Sequence, residues 1–305
     1  MIQPQKNSPL HSAILLLTAT IWGLAFIAQS VAMDYIGPLT FAGARSILAV
    51  LALTPVVLLL RSRGTVKMPC ETGCTRKSFF IGGIVCGTFL FMGMALQQIG
   101  LVYTTVGKAG FITTFYVVLV PLMGMFLGRR VGGRVWMAVG FAVVGLYYLS
   151  MKPGEFSIAR GDFYVFASAF CYSIQIIFVG RYVEKIDGVL LSYMEMVMCA
   201  VLGVMTAFLF EEPNGTTIIQ AAIPIIYAGV GSSAIGYTLQ IIGQKGVNPS
   251  IASLILSLES AISAIFAWIL LGQIMSGREI LGCVLMFLAI IISQLPAEWF
   301  LQKKR

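Results

Sequence analysis

Glu259 is the side chain in this sequence whose type and setting most invite chemistry. It is the single charge in "IASLILSLESAISAIFAWILLG", residues 251–272, and it stands near the middle of that run. Roughly 20 apolar residues cross the ~30 Å hydrocarbon layer as a helix. A carboxylate isolated at the centre of such a helix costs about 2.5–3.5 kcal/mol on insertion scales. About ten residues, or ~15 Å, separate it from the helix end, too far for easy snorkelling. An acid so placed is a ligand for a cation or a substrate amine, a proton-coupling site, or a structural group bonded to a neighbouring hydroxyl or amide. Ser263 shares its helical face, one turn on. Ser253, Ser257, Ser260 and Ala264 form a separate stripe of small residues suited to close helix packing.

Other polar residues inside apolar runs form a short set. Arg45 and Glu195 each lie about six residues, ~9 Å, inside a helix, at opposite faces. Arg45 is then shallow enough to snorkel, and fastening helix ends is as open a role as touching substrate. Lys108 heads another run, one helix on from Gln97 and Gln98. With Arg45 it could attract carboxylates to an outer vestibule, but the expected reading is a lysine stem along lipid with its ammonium in the headgroups. Trp22, Phe115, Tyr116, Tyr172 and Tyr237 fall near mid-helix, away from the ends where interfacial aromatics gather. They pack a core or wall a cavity, and Trp22 with Tyr172 are the stronger wall candidates for a reason given below. Pro121 lacks an amide hydrogen and predicts a kink, hence a hinge. Gly83 with Gly87, and Gly124 with Gly128, look like close-packing faces.

Several chemistries are excluded. The one histidine, His11, sits at the edge of the first run, which removes His-Glu-x-x-His zinc sites and serine–histidine pairs within a membrane. No apolar run has an interior aspartate, so a paired-aspartate protease is out. Cys86, Cys171, Cys199 and Cys283 lie in apolar runs as small hydrophobes. Cys70 and Cys74 share a basic loop placed in the reducing cytosol, with no histidine to complete a metal site. No phosphate-binding Gly-x-x-x-x-Gly-Lys-Ser/Thr loop occurs. No catalytic residue, metal or cofactor is therefore expected. An integral membrane enzyme and an oligomeric channel remain as the lesser alternatives; the channel would need a charge ring or filter shared among subunits.

The elements that must position these residues follow from composition. The chain is 58% hydrophobic and 10% charged, with a mean hydropathy of +0.93. Soluble domains run near 25% charged, so this is an integral membrane protein. Ten apolar runs can be read, at about 12–32, 39–60, 79–101, 105–127, 134–151, 162–182, 189–210, 223–243, 249–271 and 278–295. Gly37-Pro38, Pro213-Asn214-Gly215, Asn248-Pro249 and Pro296 punctuate them. The first run follows Lys6 and precedes Ala28-Gln29-Ser30, as in a signal peptide, but it is too long for one and is read as retained.

The net charge of +8 sits in short loops, a pattern of membrane orientation and not of nucleic-acid binding. With both termini inside, the cytosolic segments hold Lys6, Arg61, Arg63, Lys67, Arg76, Lys77, Arg129, Arg130, Arg134, Arg181, Lys185, Lys245, Lys303, Lys304 and Arg305. The outer segments hold Lys108, Lys152, Arg160 and Arg278. That bias predicts a multi-pass protein of the plasma membrane, the inner membrane in a bacterium, with both termini cytoplasmic. Asn214-Gly215-Thr216, a glycosylation sequon in an outer loop, is incidental.

The chain also repeats. A shift of 150 residues sets Trp22 opposite Tyr172, Gly23 opposite Ser173 and Arg45 opposite Glu195. A shift of 144 sets Gly87 opposite Gly231, Gly128 opposite Gly272 and Arg134 opposite Arg278. Pro121 then faces Ile265, which predicts a bend in one half alone. Two repeats follow, 12–151 and 162–295, each of five helices. Five is odd, so the second must enter the membrane upside down. The expected fold is all-α: a polytopic membrane protein of ten transmembrane helices in two inverted five-helix repeats. Such repeats mark secondary transporters, with the substrate site near the midplane between them.

Over residues 12–295 the chain resembles the drug/metabolite transporter superfamily with two EamA-type repeats. The likeness rests on "TIWGLAF" in the first helix, "GPLTFAGAR" leading to Arg45, "FYVVLVPL" in the fourth and "SLESAISAIFAWILLG" in the ninth. The family's ninth helix usually reads Leu-Glu-Pro and ends near Gly-Glu; here Ser260 and Gln273 stand instead. The resemblance implies ten helices around a central cavity, exporting or exchanging small metabolites. The reading that joins it to the residues is a secondary transporter working by alternating access as an exporter. One half rocks on the other around a cavity lined by helices 1, 3, 4, 6, 8 and 9. Glu259, Trp22, Tyr172, Arg45, Tyr237 and Ser263 are the expected substrate contacts, with proton coupling and membrane lipid as further partners. Amino acids or other amphipathic solutes suit that set; nucleotide sugars and drug-like cations are alternatives.

Overall fold

The computed structural model describes residues 9–67, 74–104, 106–128, 131–151, 159–271 and 276–294. Lys6, Cys70, Arg129, Arg130, Lys152, Gly272, Gln273, Pro296, Lys303, Lys304 and Arg305 lie outside them. Among the described residues ten helical spans are long and apolar enough to cross a bilayer. They are span 1 (Pro9–Ala32), span 2 (Pro38–Ser62), span 3 (Arg76–Tyr103), span 4 (Lys108–Phe126), span 5 (Gly133–Ser150), span 6 (Arg160–Tyr182), span 7 (Gly188–Phe210), span 8 (Ala222–Gln244), span 9 (Pro249–Phe266) and span 10 (Gly277–Gln294). Each coincides with one of the runs read from hydropathy, and the described secondary structure is helix and turn throughout.

Local chemistry sets the ends. Pro38 opens span 2, where a missing amide hydrogen costs nothing. The free amides of Leu39 and Thr40 donate to the Glu211 carboxylate at 2.9 and 2.8 Å. Glu211 itself caps the far end of span 7, so one acid ties two helix termini together. Asp187 accepts from the amides of Val189 and Leu190 and starts span 7. Asn248 does the same for span 9 through the Ser250 amide.

The packing interleaves the halves. Span 1 packs on spans 8 and 9, and span 6 packs on spans 3 and 4. Span 2 meets span 8 as span 7 meets span 3, while span 2 crosses span 7 and span 5 crosses span 10. Exchanging the halves maps these pairings onto one another. Span 1 finds its main partners in the second half of the sequence and span 6 in the first. The bodies that the contacts define are spans 1, 8 and 9 on one side and spans 3, 4 and 6 on the other.

Glycine makes the tightest crossings possible. A Cβ on Gly203 would come within 2.6 Å of the Gly43 Cα where spans 2 and 7 cross. A Cβ on Gly282 would meet the Gly145 carbonyl at 2.7 Å where span 5 crosses span 10. Such contacts let backbones approach in lipid, where no hydrophobic force drives helices together.

Two spans are interrupted in mid-membrane. Span 4 is interrupted at Thr114–Phe115 between helices Val106–Thr113 and Tyr116–Phe126, and Pro121 lies inside the second helix. Thr114 Oγ1 donates back to the Gly110 and Phe111 carbonyls at 2.9 and 3.0 Å. That competes with the backbone ladder and bends it. Span 9 breaks at Ser257, between helices Pro249–Leu256 and Leu258–Leu271, where Ser257 Oγ donates back to the Leu254 carbonyl at 2.8 Å. The shift of 144 sets Thr113 opposite Ser257. Both halves are therefore interrupted at matching positions, one in each repeat.

The span 5–span 10 crossing is open to test. Gly282→Leu is expected to destabilise the detergent-purified protein by about 1–3 kcal/mol through overpacking, read as a lowered thermal midpoint. Gly140→Leu, where a side chain would meet nothing within 4 Å, is expected to leave the midpoint unchanged.

Candidate functional site

The centre of the molecule is polar because ten apolar spans bring their few polar side chains to one place. A cavity of about 40 Å³ lies between the two bodies, lined by residues of spans 1, 2, 3, 4, 6, 8 and 9. That is room for a few waters, each needing about 10–15 Å³. Six of those seven spans match the sequence expectation; span 2 enters in addition, through Arg45.

Glu259 faces this cavity from the first turn after the span 9 break. It is 4% exposed, so nearly all of its hydration is lost. Tyr116 Oη, from the first turn after the span 4 break, donates to Glu259 Oε1 at 3.0 Å. The paired breaks thus deliver the acid and its hydroxyl donor to each other. Span 1 passes close behind: a Cβ on Gly23 would sit 2.9 Å from the Glu259 carbonyl and 3.0 Å from the Ser263 amide. Ser263 is half-buried and backs onto span 1 rather than lining the cavity. Its expected place beside Glu259 at the site is corrected for that reason.

Arg45 is 3% exposed and does not snorkel. Its Nε donates to Ser233 Oγ at 2.9 Å and its Nη2 to Ser232 Oγ at 3.0 Å. Those serines belong to residues Tyr227–Gly236 of span 8, which wind as a π-helix, a widened turn common at functional sites. Gly229 in that segment lets the Arg45 backbone approach, and Trp22 Nε1 donates to the Ser232 carbonyl at 3.3 Å.

Trp22 and Tyr172 both line the cavity, and each presses on a glycine of the other half. A Cβ on Gly236 would meet Trp22 Nε1 at 2.6 Å, and one on Gly93 would meet Tyr172 Cε1 at 2.8 Å. The Tyr237 ring lies 4.8 Å from that of Trp22. Tyr172 Oη donates to Gln97 Oε1 at 3.1 Å, and Gln97 Nε2 to Thr113 Oγ1 at 2.9 Å. Gln97, Thr113, Tyr116 and Gln240 thus join the site, and sequence reasoning missed them there as partners. Their common signal was available: each is a polar group in mid-span, where a partner is obligatory.

Lys108 corrects a second expectation. It is 8% exposed, and its Nζ lies 3.9 Å from Asp162 Oδ2 at the start of span 6. Asp162 also accepts from Thr104 Oγ1 at 2.6 Å and the Ala159 amide at 2.8 Å. Burial between spans 4 and 6 needs a counter-charge, so the lysine turns inward and not to lipid. No group of three or more potential metal ligands occurs among the described residues.

The EamA-like transporter family model matches residues 11–151 and again 159–295. The chain belongs to that family. A protein of Archaeoglobus fulgidus described as an uncharacterized transporter is 29% identical over 286 residues, covering 92% of this chain and 84% of its own. The uncharacterized transporter YoaV of Bacillus subtilis is 21% identical, covering 90% and 92%. A solved crystal structure, 17% identical, shares the fold with a TM-score of 0.76 over 95% of this chain and 98% of that one. This family member is a multi-pass membrane transporter of the drug/metabolite class.

The Tyr116–Glu259 bond should be measurable. In a double-mutant cycle of Tyr116→Phe and Glu259→Leu, which removes the acceptor, the coupling energy from thermal unfolding is expected to be about 1.5–3 kcal/mol, the range for hydrogen bonds to charged groups. A coupling near zero would mean that the pair does not form in the folded protein.

Proposed function

We propose that this transporter is a secondary exporter of small amphipathic solutes carrying an amine, amino acids among them, working by alternating access in the cytoplasmic membrane. The observation that carries this is one cavity holding a carboxylate, Glu259, and a guanidinium, Arg45, with aromatic walls between them. A zwitterion matches such a pair. Its ammonium takes the place of water on Glu259, and its carboxylate approaches Arg45 and the span 8 serines. Trp22, Tyr172 and Tyr237 offer apolar surface to the remainder. Desolvation strengthens both charged contacts.

The moving bodies in this reading are spans 1, 8 and 9 against spans 3, 4 and 6. A cavity with room for a few waters must widen to admit such a solute. The matched breaks at Thr114–Phe115 and Ser257 let half of each span tilt without disturbing the other half. Glu259 then serves both ligand and proton: the acid releases the amine when it takes a proton, which couples export to the proton gradient.

Both termini are placed in the cytosol, on the positive-inside bias. In a cysteine-free background, a membrane-impermeant thiol reagent applied to intact cells should label Thr216→Cys, in the short helix Gly215–Gln220 between spans 7 and 8, and spare Thr65→Cys, in the loop after span 2, both exposed. Labelling of Thr65→Cys alone would invert the orientation.

Purified protein in liposomes, offered an amino-acid and amine panel under imposed pH gradients, tests the transport reading. Gradient-driven exchange is expected for at least one amine-bearing solute. Glu259→Gln should weaken it about tenfold or more, the factor for ~1.4 kcal/mol of lost binding. Parent-level transport by Glu259→Gln at every pH would overturn the role given to the acid.

A further inference from the structure

Glu195 is a second acid deep within a span, and transport through Glu259 makes no use of it. It lies about seven residues, ~10 Å, into span 7, and it is fully buried. Gln175 of span 6 donates from Nε2 to Glu195 Oε1 at 3.2 Å. Gln240 of span 8 donates from Nε2 to Gln175 Oε1 at 3.1 Å. Both glutamines line the cavity and Glu195 does not. Two amides in series therefore join the cavity wall to a carboxyl standing behind it.

The groups facing that carboxyl come from every span around it. The Cys86 thiol of span 3 stands against it. One turn along span 7, Cys199 gives its S–H to the Gly87 carbonyl at 3.4 Å. Arg45 of span 2 is committed to Ser232 and Ser233 and makes no ion pair with Glu195. Thr238 of span 8 is shared with Ser192 at 2.7 Å. Among the described residues no cation forms an ion pair with the acid, unlike Asp162, which has Lys108.

The cluster is short of donors. Among the described residues Glu195 Oε2 and Gln240 Oε1 are buried acceptors without a hydrogen-bond partner, and the one donor standing beside the carboxyl, the Cys86 thiol, is a weak one. Turning either amide end for end leaves the count of donors and acceptors the same. Gln240 stands at the cavity wall, where water can serve it; Glu195, behind that wall, needs hydrogen or positive charge of its own. A hard metal cation such as calcium or magnesium takes about six or more oxygens, and two spare ones do not make that shell. A single proton on the carboxyl needs no shell.

We propose that Glu195 is a proton-binding site behind the cavity wall, tied to the cavity by Gln175 and Gln240 and separate from Glu259. An O–H bond forms at Oε2, the proton coming from a hydronium in the cavity, which is left as water. In the ionised form Oε1 holds the Gln175 amide strongly. The neutral acid accepts more weakly and can itself donate, so Gln175 and then Gln240 change the hydrogen bonds they offer the cavity. Proton binding here stands without the transport reading; its place in a transport cycle rests on that reading.

Difference infrared spectra of the full chain in detergent, between acidic and alkaline buffer, test this without any substrate. The parent is expected to show the carbonyl band of a protonated buried carboxyl, with one component lost in Glu195→Gln and retained in Glu259→Gln. Gln175→Leu, which cuts the link, is expected to shift that component in frequency. Identical spectra for the parent and Glu195→Gln would overturn the proton site, and an unmoved component in Gln175→Leu would overturn the link to the cavity. If Glu195→Gln does not yield folded protein, Glu195→Asp keeps the acid and should displace the component; an undisplaced component also overturns the site. Liposomes that transport nothing, beside a component lost in Glu195→Gln, would sink the transport reading alone.

Discussion

In the middle of a bilayer a polar side chain has no solvent to turn to, and each one must find its partner inside the protein. Most of the polar groups at the centre of this molecule answer to that requirement, Glu195 Oε2 and Gln240 Oε1 being exceptions. Glu259 meets Tyr116, Arg45 meets two serines, Tyr172 meets Gln97, and Gln240 reaches Glu195 through Gln175. These bonds join residues far apart in the chain, so they hold spans in register as well as satisfying their own atoms. Apolar contact with lipid is as good as apolar contact with another helix. The polar pairs therefore carry much of the specificity of the arrangement.

Backbone continuity yields at the same level. Hydroxyls at Thr114 and Ser257 bond back to carbonyls of their own helices, and the spans break there. Exposed backbone polar groups are costly at membrane depth except where they border protein or a wet cavity. The breaks border one. They turn Tyr116 and Glu259 toward each other, and the π-turn segment of span 8 similarly places Ser232 and Ser233 under Arg45. A site built of irregular backbone is easier to open than one built of intact helix.

Much of the fold was legible because hydropathy is a property of the chain itself. Ten spans were readable with their ends close to those observed, and Glu259, Arg45, Trp22, Tyr172 and Tyr237 all reach the cavity. Ser263 does not, because span 1 closes over it at Gly23. The interruption of span 4 falls where Thr114 back-bonds, a signal that a threonine in mid-run does not advertise. Lys108 read as a lipid-facing lysine because its partner, Asp162, lies in another span.

Length, hydropathy and the placement of rare charges therefore determined that this is a ten-span membrane protein with an acid buried in mid-span 9. They could do so because a polar group in hydrocarbon is costly enough to require a partner or water, whichever helix supplies it. Which partner each polar group takes was decided by tertiary structure alone. Tyr116 and Glu259 are 143 residues apart, and nothing local fixes such a pairing. The interleaving of spans 1 and 6 into opposite halves belongs to the same class, since an apolar face carries no mark of the helix it will meet.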